Sequence, residues 1–127
     1  MTASTNHDLP PSAWALYPSC VITFDPLPAG VRVELAGETV AESNRARIMY
    51  EIGHAPAYYL PHADLRDDLL VSSQHHTHCP FKGGAAYWHV RVGDVTAENA
   101  VWTYSQPYEE MAHIAGWFGF YWGRFDA

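Results

Sequence analysis

The sequence contains one lysine, Lys82, and 7 basic side chains against 14 acidic ones, for a formal charge of −7 over 127 residues. So few cations cannot neutralise a run of phosphates, and nucleic acid is not an expected partner. No stretch reaches the about 18 consecutive apolar residues of a membrane-spanning helix, so no membrane partner is expected either. Cysteine is scarce: Cys20 and Cys79 form no Cys-x-x-Cys pair and allow one disulfide at most. Both read as reduced thiols, which with the next observation points to a cytoplasmic protein. Met1 to Pro11 holds neither a basic residue nor an apolar stretch, which argues against a secretory signal. Its polar residues and Pro10–Pro11 open an expected flexible leader over residues 1–20. A Gly-x-x-x-x-Gly-Lys phosphate loop is also lacking.

Aromatic residues, by contrast, make up 14% of the chain and hydrophobic residues 48%, which suits one packed domain over residues 21–127. Short alternating runs between turn signals predict a mainly β fold. Val21–Asp25 ends at Pro26. Val31, Val33 and Leu35 alternate with charged residues and turn at Ala36-Gly37-Glu38 into Thr39–Glu42. In Ala46–Ile52, the residues Ala46, Ile48, Tyr50 and Ile52 share one face, and Arg47, Met49 and Glu51 the other. Tyr58–Leu60, Ala85–Val92, Ala100–Tyr104 and Gly116–Trp122 supply the remaining strands, and one short helix is expected over Tyr108–Ile114. A single helical turn capped by Asp64 competes with a loop reading. The expected architecture is a compact antiparallel sandwich or open barrel with one or two helical turns.

Chemistry concentrates in Thr77–Ala85, where His78, Cys79 and Lys82 lie within five positions around Pro80, Gly83 and Gly84. The amides of Gly83 to Ala85 are expected to form a small anion-binding nest beside Lys82. The plainer alternative is a loop with a buried thiol and a solvated lysine. Glu51, on the less apolar face of its strand, is by default a solvated carboxylate. Asp64 reads most simply as a cap, Tyr59 as core with a hydroxyl able to reach a pocket. Trp102 and Tyr104 share a strand face and either pack the core or line a cavity.

These residues resemble the bacterial domain-of-unknown-function 427 family. The resemblance rests on Val31-Arg32-Val33, Gly37-Glu38-Thr39-Val40-Ala41-Glu42-Ser43, Arg45-Ala46, Glu51 and Tyr58-Tyr59-Leu60-Pro61. It continues through Asp64, Cys79-Pro80-Phe81-Lys82-Gly83, Tyr87-Trp88, Ala100-Val101-Trp102-Thr103-Tyr104, Pro107, Ile114-Ala115-Gly116 and Phe120-Tyr121. It implies a small β-tent-like fold and a pocket that groups Cys79, Lys82, Glu51, Tyr59 and Trp102, but no established activity. A nucleotidyltransferase label sometimes attached to the family is disfavoured, because Asp67-Asp68 lacks the surroundings of a paired-carboxylate metal site. No cofactor is expected. Zinc held by His76, His78 and Cys79, or by a distant third ligand, is the weaker alternative to a polar His-rich loop.

Two functional readings follow. In the first, a small polar or anionic metabolite is transformed, with Cys79 as thiol nucleophile, Lys82 as anion holder or amine, and Glu51 or His78 moving the proton. In the second, a non-catalytic module binds a small molecule between Tyr59, Trp88, Trp102 and Tyr104, with Gly83 and Asp64 as further ligand contacts and Lys82 as a single charge. Gly116–Trp122 carries large residues on both faces, so it is either a central strand or part of a homodimer contact.

Overall fold

The structure is a computed structural model that describes residues 12–17 and 21–126. Within them the strands are β1 (Ile22–Pro26), β2 (Val31–Leu35), β3 (Glu38–Ser43), β4 (Arg47–Glu51) and β5 (Ala57–Pro61). They continue as β6 (Leu70–Cys79), β7 (Gly83–Val92), β8 (Val95–Pro107) and β9 (Trp117–Phe120). Seven form one open antiparallel sheet in the order β1-β4-β5-β9-β8-β7-β6, and β2 and β3 form a separate hairpin. The fold is mainly β, as expected, with its helical content limited to short 3-10 turns such as Glu109–Ile114.

Local chemistry accounts for the hairpin. Ala36 and Gly37 take φ of 51° and 81°, the double left-handed turn whose twist matches antiparallel strands. Its inward residues Val33, Leu35, Val40 and Ala41 pack with Leu60, Val90, Val101, Phe118 and Phe120 to form a core on one face of the large sheet. Strand side chains alternate, so the neighbours of these residues point to the other face. There Met49, Tyr59, Tyr87 and Tyr104 meet Met111 and Ile114 of the Glu109–Ile114 turn in a second core.

Several expectations change. β6 occupies the stretch read as a polar His-rich loop. It is one of the sheet's two outer strands and is largely exposed along its length, so it needs no apolar alternation and displays none. Its end and the start of β7 absorb most of the expected nest: Gly83 and Gly84 pair across β7 with Pro107 and Gln106 of β8. Asp64 caps nothing; it is the last residue of the turn His62–Asp64, whose N-cap is Pro61. β9 is central, between β5 and β8, which places Phe118 and Phe120 on one core and Trp117 on the other. The large residues on both faces of β9 are thereby accounted for within one chain, whereas Tyr121 and Trp122 beyond its end stay exposed. Of the leader expected over residues 1–20, residues 12–17 are docked: Ala13 donates its N–H to the Pro80 carbonyl at 2.8 Å and Trp14 Nε1 donates to Phe81 O at 2.7 Å. The rest of it, including Cys20, lies outside the described residues.

Candidate functional site

The face of the sheet opposite the hairpin holds a cavity of about 280 Å³. Lys82, in the turn between β6 and β7, and Glu51, at the end of β4, enter it from opposite sides of the sheet order. Lys82 Nζ donates to Glu51 Oε1 at 2.5 Å, and both side chains are only 12% exposed. The solvated carboxylate expected at Glu51 is therefore a largely enclosed one. His54 Nε2 stands 3.6 Å from the other Glu51 oxygen. The Lys82 ammonium also lies 5.7 Å from the centroid of the Tyr104 ring, close enough for a cation–π attraction.

β8 contributes Trp102 and Tyr104 from one face, and β5 contributes Tyr59. Trp102 Nε1 donates to the Tyr59 hydroxyl oxygen at 3.1 Å, with the rings edge to face at 5.8 Å. Gly119 makes this approach possible: a Cβ there would sit 2.5 Å from the Trp102 indole. Burial pushes the Tyr59 and Tyr104 hydroxyls well above the ordinary tyrosine range, so both are protonated donors at neutral pH. Tyr121, buried in part and bonded to Tyr87, is pushed up to about 12. A hydroxyl chain runs from Thr77 to Tyr87 at 2.9 Å and on to Tyr121 at 3.5 Å.

The structure thus brings together Lys82, Glu51, Tyr59, Trp102 and Tyr104. It does not bring the other candidates to the cavity wall. Cys79 is half-buried against the second core and forms no disulfide among the described residues. His78 Nε2 lies 2.7 Å from the Tyr108 hydroxyl. Trp88 points to the hairpin side, where its ring meets Phe118 at 5.3 Å, because its neighbour Tyr87 takes the cavity side. Asp64 accepts from Arg45 at 2.8 Å and from Ser43 Oγ at 2.5 Å, and those bonds, Arg45 first, hold its carboxyl below the usual range. Gly83 acts through its backbone: at φ of 112°, a Cβ would collide with the Gln106 carbonyl. The zinc set is not assembled, for no three His, Cys, Asp or Glu among the described residues converge as metal ligands.

Sequence reasoning missed Tyr87, Tyr121, Met49 and His54 as lining. The alternation already put Tyr87 opposite Trp88 and Met49 beside Glu51, so their faces were readable; that those faces shared one cavity was not. Among the described residues no helix is long and apolar enough to cross a membrane. A search of curated proteins finds no match. Residues 23–127 match the family described as Domain of unknown function (DUF427), and the chain belongs to that family.

Proposed function

We propose that this cavity binds a compact polar small molecule, and that the Lys82–Glu51 pair on its wall is the recognition element. The observation that carries the reading is an ion pair held inside an aromatic enclosure and open to the cavity on one side. Neutralised by Glu51, the lysine is not a bare anion trap. The pair offers a donor and an acceptor side by side, which suits a dipolar group such as an amide or a zwitterion. Tyr59, Tyr104 and Trp102 supply flat walls with few polar atoms, the usual make-up of a small-molecule site. The volume of about 280 Å³ lies near the lower end of such sites, about 300 Å³.

The same pair supports a catalytic variant of this reading. Glu51 would take a proton from the bound molecule while Lys82 returns one, an acid–base exchange needing no thiol. Cys79, set outside the lining, then has no part in the step.

The test is a fragment screen against the full chain, followed through the Trp102 indole N–H resonance. Fragments that shift it should lose at least tenfold in affinity in Lys82→Met and keep it in Cys79→Ser. Fragments indifferent to Lys82→Met, or a screen whose hits all leave Trp102 unperturbed, would overturn the reading. Chemical conversion of a hit that ceases in Glu51→Gln would select the catalytic variant.

A further inference from the structure

The cavity does not end at Trp102. A second, wider hollow of about 620 Å³ shares Ala55, Ala57, Trp102 and Tyr121 with it, so the two are chambers separated by one aromatic wall. The Trp102 and Tyr121 rings in that wall are 4.5 Å apart. Beyond it the lining changes character. Trp122 is 57% exposed, which is costly for an indole that serves packing alone, and it is held in place by an edge-to-face contact with Tyr58 at 4.4 Å.

Among the described residues, Arg124 is the only charged side chain lining the outer chamber, and no acidic one lines it. Its guanidinium stands 5.5 Å from the centroid of Tyr121. Arg32, Arg45 and Arg66 each pair with a carboxylate, whereas Arg124, like Arg47 and Arg91, has no carboxylate partner among the described residues. The turn that carries it is braced. Arg124 N–H reaches Tyr121 O at 3.0 Å, Phe125 N–H reaches Trp122 O at 3.1 Å and Asp126 N–H reaches Glu34 O at 2.9 Å. An unpaired cation at the edge of exposed aromatic faces, on a fixed backbone, is a receptor for a flat anion.

We propose that the outer chamber takes a planar ring bearing an oxyanion, with the ring against Trp102, Tyr121 and Trp122 and the oxyanion on Arg124. Resting on the reading of the inner cavity as a ligand site, this makes the ligand bipartite: an uncharged polar end at Lys82–Glu51 and an aromatic anion outside. Carboxylate and phosphate share the required chemistry.

The experiment titrates 1-naphthaleneacetate, 1-naphthyl phosphate and the neutral 1-naphthaleneacetamide into the full chain, reading the Trp102 and Trp122 indole N–H resonances. One or both anions should bind about fivefold more tightly than the amide, the scale of an exposed ion pair, and the preference should shrink at high salt. Arg124→Gln should abolish the preference without weakening the amide. Arg91→Gln, which alters a surface arginine outside both chambers, should keep it. No perturbation of Trp122 by any probe, no anion preference, or a preference equally lost in Arg91→Gln would overturn the inference. The outcomes separate the two proposals. Fragment binding that fails in Lys82→Met, together with an anion preference that ignores Arg124→Gln, removes the outer site alone. An Arg124-dependent preference, found while the fragments that shift Trp102 are indifferent to Lys82→Met, keeps the outer site and removes the inner reading.

Discussion

Lys82 and Glu51 are 31 positions apart and each is the other's main compensation for leaving water. With both side chains 12% exposed, removing one strands a charge in a poorly hydrated wall, whereas removing both does not. Lys82→Met should therefore cost about 2 kcal/mol of unfolding free energy, and Lys82→Met combined with Glu51→Gln should recover most of it. Urea denaturation of the two single variants and the double variant measures the coupling. A double variant no more stable than the worse single one would mean that the pair contributes nothing specific. The residue types of this site are legible in the chain itself, as one lysine and a glutamate on an alternating strand. Their pairing is not, because sequence separation carries no information about distance. The same limit explains Cys79 and His78: they adjoin Lys82 in sequence, yet β6 turns them toward the second core and Tyr108.

At the level of elements, β8 and β9 decide the shape of the site through one missing side chain. Trp102 lies directly across from Gly119 in the register of the two strands, and the indole occupies the space a side chain would take. Gly119→Ala should force Trp102 off its position and break its bond to Tyr59. The expected destabilisation is about 1–3 kcal/mol, typical of overpacking, together with loss of binding of any fragment that shifts Trp102. Melting temperature and the Trp102 indole resonance report the two effects separately, and an unshifted resonance in Gly119→Ala would refute the account. A strand with one buried face, such as β2, announces itself by period-two alternation. β6 does not, because a strand at the sheet's edge is stabilised by its ladder with β7 while its side chains face solvent.

Across the whole molecule, buried tyrosines link stability to alkaline pH. Tyr59 and Tyr104 are raised by burial and Tyr121 is pushed up to about 12, against about 10 in an unfolded chain. Between these values the native state holds more protons than the unfolded one, so stability is complete below about pH 10 and falls as pH rises further. Tyrosinate absorbance should accordingly appear in two phases, exposed residues first and the buried ones only on unfolding. Tyr59→Phe should flatten the alkaline decline and cost about 1 kcal/mol at neutral pH through the lost Trp102 bond; a decline unchanged in that variant would sink the assignment. The β class, the Ala36-Gly37 hairpin and the faces of Trp102 and Tyr104 were legible from residue order, since alternation and turn chemistry are local properties of the chain. The insertion of β9 between β5 and β8, the meeting of Lys82 with Glu51 and the second chamber at Arg124 were not. They arise from which strands become neighbours, a choice made by burying both faces of the sheet at once, and no short stretch of sequence carries that global balance.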